Sequence, residues 1–91
     1  MKRLVIIVLV AFAATTTAHA RCDDERRVEK VTESGRIVEL DDGSRWEVEE
    51  MDRDVAERWL QDAPITACDH ELINQEDHET ARARQTKEPE L

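Results

Sequence analysis

Few residues of this chain have the type and spacing to do chemistry. Cysteine occurs twice, at Cys22 and Cys68. In an oxidising compartment, an even pair in a small domain reads as a disulfide. The loop it would close has 47 residues counting both ends, and closing a loop that long stabilises a fold by roughly 4 kcal/mol. Redox catalysis would favour a close Cys-x-x-Cys pair, which is absent; the remaining alternative is free or intermolecular thiols. His70 and His78 each stand between carboxylates, in Asp69-His70-Glu71 and Asp77-His78-Glu79. Eight residues apart, they would return near one face if the segment were helical, making a weak divalent-metal site. No standard two-His metal spacing is matched, so solvated surface is the default and no metal or other cofactor is assigned. Ser34 and Ser44 fall at turn signals, with no histidine in a recognisable relation to either. The residues therefore give no catalytic set, and the expectation is a protein that is not an enzyme.

Residues 1-20 read as an export signal. Lys2 and Arg3 give the positive end, Leu4 to Ala14 is an uncharged apolar run, and Ala18-His19-Ala20 has the small-residue pattern that a signal peptidase accepts. The run is 11 residues, short of the 18–20 or so that cross a bilayer. Lipidation at Cys22 is disfavoured because Arg21 stands where a small residue is needed. Cleavage after Ala20 would leave 71 of the 91 residues and remove two cations, changing a balance of 13 against 22 to 11 against 22, or −11. This predicts a periplasmic or secreted protein with no stable membrane span after signal removal. A chain of this size forms one small domain, expected over 21-86 with a flexible tail at 87-91. Its acidity argues against nucleic acid, whose phosphates would be repelled.

The elements that must position these residues are mainly strands. Val31 to Val38 carries two short apolar segments around Ser34-Gly35, a hairpin signal. A two-residue turn there sets Val31 opposite Val38, Thr32 opposite Ile37 and Lys30 opposite Glu39. Arg36 to Leu40 and Arg45 to Glu49 flank a second turn. A three-residue loop, Asp41-Asp42-Gly43, pairs Glu39 with Arg45 and Val38 with Trp46, with Gly43 left-handed. One face of the meander then carries Val31, Val38, Leu40, Trp46 and Val48, and the other carries Lys30, Glu39 and Arg45.

Past this meander the period changes. Val55, Trp59 and Leu60 share one helical side, and Asp54 with Glu57 makes a capping-box pattern, predicting a helix of two to three turns over the sheet. Pro64 to Cys68 reads as a strand that would carry Cys68 back towards Cys22. Asp69 to Gln85 reads either as a loop and a final strand or as one polar helix. The strand is preferred because Ala81 and Ala83 would share a face. The fold class expected is mainly β: a small barrel- or sandwich-like antiparallel sheet of four to five strands, with one short helix and one disulfide. Trp46 and Trp59 are assigned to the core with the aliphatic residues, since such a chain has few other bulky groups to bury.

The run Gly35-x5-Asp41-Asp42-Gly43-Ser44-x-Trp46-x-Val48, followed by Trp59-Leu60 and Leu72-Ile73-Asn74, resembles a group of uncharacterised small exported bacterial proteins. The likeness spans about residues 28–84. It implies a mainly β module outside the cytoplasm and brings no activity or site residue with it. Its Gly43 and Trp46 are also what a hairpin and a core need. The function expected is an exported, acidic, non-enzymatic binding module whose partner is a protein or envelope component. The alternatives are an acidic inhibitor of a basic exported hydrolase, favoured by charge-steered encounter, and a weak divalent-metal binder. An acid-stress chaperone rests on the same carboxylates and histidines.

Overall fold

A computed structural model describes residues 22–90; the expected export signal lies outside them. The described chain forms β1 (Asp23–Thr32), β2 (Ile37–Leu40), β3 (Arg45–Val48), a 3-10 turn (Glu50–Asp52), α1 (Arg53–Ala56), β4 (Pro64–Ala67), β5 (Glu71–Asn74) and β6 (Glu79–Lys87). All strand pairs are antiparallel, and they close into a barrel in the order β1-β2-β3-β6-β5-β4 and back to β1. The barrel is two three-stranded meanders, with first strand against first and last against last. Exchanging the halves leaves the pairing scheme unchanged.

Four of the strands have four residues; β1 has ten and β6 has nine. The long strands are long because each serves two neighbours. The first half of β1 pairs with β4 and its second half with β2, and the register shifts between Val28 and Lys30. Likewise β6 pairs first with β5 and then, from Ala83, with β3. Such shared, bulged strands turn the corner between two sheets.

Both hairpin registers read from the sequence are present. Val31 pairs with Val38, Thr32 with Ile37 and Lys30 with Glu39, while Val38 pairs with Trp46 and Glu39 with Arg45. Glu33 (φ 55°), Ser34 (φ 57°) and Gly35 (φ 90°) all have positive φ, and Arg36 N–H donates to Glu33 O at 3.1 Å across the turn. Gly43 has φ 88°. Residues 69–85 hold two strands and no helix, with Ala81 and Ala83 both buried.

Three expectations are corrected. The described residues form six strands instead of four to five. The added strand is β5 (Glu71–Asn74), expected as loop because its apolar pair Leu72-Ile73 shows no alternation; β1 also reaches back through Asp23-Asp-Glu-Arg-Arg27, whose pairing with β4 rests on backbone hydrogen bonds. The helix is one α turn after a 3-10 turn instead of two to three turns, and neither start carries a side-chain cap. Leu60 is therefore not a core residue. The chain leaves the helix after Ala56, and Trp59 and Ala63 turn inward while Leu60 stays 75% exposed. Val31 is half-buried and packs on the margin of the core.

The core consists of Val28, Val38, Leu40, Trp46, Val48, Ala56, Trp59, Ala63, Ile65, Leu72, Ala81 and Ala83. Four of these are alanines, so the two indoles provide much of its bulk. The Cys22–Cys68 disulfide is formed and ties the start of β1 to the end of β4. Of the expected tail, Lys87 is the last residue of β6, and Glu90 N–H donates to Asp42 O at 2.7 Å.

Candidate functional site

The most specific stretch of the sequence, Asp42 to Val48, proves to be a hydrogen-bonded relay. Asp42 Oδ1 accepts from Ser44 N–H at 3.0 Å and from Ser44 Oγ at 2.7 Å. Ser44 Oγ in turn accepts from Trp46 Nε1 at 3.0 Å. Ser44 is buried, so a polar partner for the indole N–H is built into the loop. Its hydroxyl is thereby committed on both sides.

Asn74 is also buried, and its Oδ1 accepts from the backbone N–H of Glu76 (2.9 Å) and Asp77 (3.2 Å). This Asx arrangement caps the β5–β6 turn. Trp59 Nε1 donates to Glu79 Oε1 at 3.2 Å, and Glu79 Oε2 takes Arg58 at the same distance. Trp46, Trp59 and Asn74 are therefore structural.

The two histidines do not come together. His70 precedes the first residue of β5, and His78 N–H donates to Asn74 O at the other end of that strand. Four strand residues separate the ends by about 13 Å. Their eight-residue spacing served a common site only on a helix, and the segment is strand. Among the described residues, no group of three or more His, Cys, Asp or Glu is placed to hold a metal ion.

Two charged clusters remain. At the disulfide end of the barrel, Arg26 lies among Asp23 (3.1 Å), Asp41 (3.3 Å) and Asp42 (3.7 Å), with Asp69 lining the same shallow pocket. Arg26 Nε is buried in ion-pair range of Asp23 without hydrogen-bond alignment.

The second cluster was invisible in the sequence. Glu47, on the outer face of β3, receives three arginines from three other segments. Arg84 of β6 approaches Oε1 at 2.9 Å, and Arg36 from the β1–β2 turn approaches Oε2 at 3.1 Å. Arg53 of α1 stands 3.9 Å from Oε2. The Arg84 hydrogen bond, with the field and hydrogen bond of Arg36, holds the Glu47 carboxyl below its ordinary range against a smaller desolvation effect. Hydrogen bonding to Glu33, reinforced by Glu47, raises Arg36. Beside this cluster runs a groove of about 540 Å³ lined by Glu47, Glu49, Arg53, His70 and Arg84, over Val48 and Ala83. Cross-strand alternation points to its place, since Glu47 pairs with Ile37 on one side and Arg84 on the other. The β6 register that completes it has no sequence signature.

No family model, no curated protein and no solved structure matches this chain. Among the described residues, no helix is long and apolar enough to cross a membrane.

Proposed function

We propose that this chain is a small non-enzymatic binding module that acts outside the cytoplasm, periplasmic or secreted, and presents the groove beside Glu47 to a partner. The observation that carries this reading is the commitment of its reactive side chains. Cys22 and Cys68 are bonded to each other, Ser44 is held between Asp42 and Trp46, and the histidines lie apart. What the fold leaves available is a charged surface groove. The disulfide, the amino-terminal signal pattern and the resemblance to small exported bacterial proteins all support an oxidising compartment.

A second reading, an acidic inhibitor of a basic exported hydrolase, is supported by the carboxylates gathered at the disulfide end, where Asp23, Asp42 and Asp69 share one pocket. The surplus of acid would speed encounter with a cationic enzyme.

Affinity capture from an envelope extract, with the disulfide-bonded protein as bait, tests the module. A specific partner retained by the wild type and lost on Arg84→Glu is expected. Retention of no partner at any salt concentration would reject the module. Salt-sensitive inhibition of a lysozyme-like hydrolase, lost on Asp69→Lys and kept on Arg84→Glu, would decide for the second reading.

A further inference from the structure

We propose that the groove bounded by β3, α1 and the β4–β5 turn binds a carboxylate, with Arg53 as its main anchor and Arg84 and His70 as flanking donors. This rests on the reading of the chain as a binding module and names the chemistry of its ligand.

The argument starts from charge supply. The chain has 13 basic residues against 22 acidic ones. With cations so outnumbered, each arginine can find a carboxylate of its own. Around Glu47 the ratio is reversed, with three guanidinium groups drawn to one carboxylate from the β1–β2 turn, α1 and β6. Glu47 has two oxygens, and Arg84 and Arg36 take them at hydrogen-bond distance. Arg36 is answered a second time by Glu33. Arg53 is left at 3.9 Å, too far for a hydrogen bond.

Arg53 is nevertheless held in place. Its Nε donates to Val48 O at 2.9 Å, and its side chain is half-buried. With Nε engaged by the backbone, the outer edge formed by the two terminal nitrogens remains, and among the described residues these have no hydrogen-bond partner. That edge is the fork which meets a planar carboxylate with two parallel N–H···O bonds. Its orientation is set before any ligand arrives, because Val48 belongs to a barrel strand. His70, in the same lining, supplies an imidazole. A volume of about 540 Å³ matches small-molecule clefts.

The same lining favours a single negative charge. Glu49 stands on the rim, tied only at 3.9 Å to Arg82, and Glu47 stays ionised at the groove wall. A phosphate dianion would meet both carboxylates; a monocarboxylate meets one preoriented guanidinium and less repulsion.

The test is a titration of the disulfide-bonded protein, followed by 1H–15N NMR at low salt. The probes are butyrate for a free acid, N-acetylleucine for a peptide end, N-acetylleucinamide as the uncharged control, and inorganic phosphate. Saturable shifts at Arg53 Nε and at the Val48 and His70 amides are expected with at least one carboxylate, and none with the amide. Whichever of butyrate and N-acetylleucine binds more tightly identifies the source. Arg53→Gln should weaken binding about tenfold or more through loss of charge-assisted hydrogen bonds. Arg45→Gln, on the same strand but outside the groove lining, should leave binding unchanged. If Arg53→Gln fails to fold, Arg53→Lys keeps the charge and loses the fork, and should still weaken binding severalfold. No saturation, equal binding by the folded Arg53 variant, or phosphate binding as tightly as carboxylate would each overturn the proposal. Partner capture that persists without carboxylate binding would defeat this inference alone; loss of both would defeat the module as well.

Discussion

Trp46 Nε1–H donates a hydrogen bond to Ser44 Oγ at 3.0 Å inside the core, two residues back along the same strand and loop. An indole buried to this extent needs that acceptor, and the acceptor is held by Asp42. Ser44→Ala would leave the indole N–H unpaired and take one of the two hydrogen bonds from Asp42 Oδ1, whose bond from the backbone N–H of residue 44 remains. It should destabilise the protein by about 1–3 kcal/mol, the cost of an unmet buried donor. Urea denaturation followed by tryptophan fluorescence measures this. A change below about 0.5 kcal/mol, the range of an ordinary surface substitution, would show that the relay is not structural.

Gly35 touches α1 where no side chain fits. A Cβ built there would lie 2.0 Å from Arg53 O, and the backbone already has φ 90°. Gly35→Ala combines this clash with left-handed backbone strain of about 1–3 kcal/mol. The expected outcome is a large fall in melting temperature and displacement of α1. The neighbouring Ser34, at φ 57°, gives the opposite sign: Ser34→Gly relieves a left-handed penalty of about 1–2 kcal/mol and should be neutral or stabilising.

Glu47 makes the stability sensitive to acid. Its carboxyl is held below the ordinary value of 4.5, with the Arg84 hydrogen bond as the first cause. A group whose folded value lies below its unfolded one contributes stability fully above the unfolded value. It loses that contribution as pH falls through the folded value. Carboxyl 13C titration should therefore place Glu47 below 4.5 in the wild type and move it upward in Arg84→Ala. A midpoint that Arg84→Ala leaves unchanged would contradict the assignment.

Burial separates two neighbouring aliphatic residues. Leu60 is 75% exposed and Ile65 is fully buried. Leu60→Ser should change the unfolding free energy by no more than about 0.5 kcal/mol, whereas Ile65→Ala should cost about 2–5 kcal/mol. Equal losses at the two sites would mean that Leu60 packs after all.

The Cys22–Cys68 bond joins residues 46 apart in the chain, and its removal frees a long loop in the unfolded state. Cys22→Ser with Cys68→Ser should lower stability by roughly 4 kcal/mol. Thermal unfolding with and without reductant would check this; the double variant should match the reduced wild type.

What was legible in the sequence was whatever leaves a side-chain rhythm. Val31, Val38, Leu40, Trp46 and Val48 alternate, and with Ser34-Gly35 and Asp41-Asp42-Gly43 they fixed two hairpin registers. Pro64 marked the strand that carries Cys68. Asp23 to Arg27 pairs through its backbone alone and gave no such rhythm. Leu60 misled because helical periodicity was extended past Ala56, where tertiary packing drew Trp59 and Ala63 inward instead. The arginine cluster was hidden for a related reason. Arg36, Glu47, Arg53 and Arg84 belong to four segments, and only the closure of β6 against β3 brings them together.

That closure also sets the order in which the molecule can be completed. β6 is the last of the described elements, yet it forms the seams with both β3 and β5. Until residue 87 is available, the other five strands form an open sheet with two bare edges. Pairings of such long sequence separation make folding slow relative to local structure. Under the proposed export, a machinery that threads unfolded chains would receive this one before it could close. The barrel would then form only after passage, with oxidation of Cys22 and Cys68 locking β1 to β4.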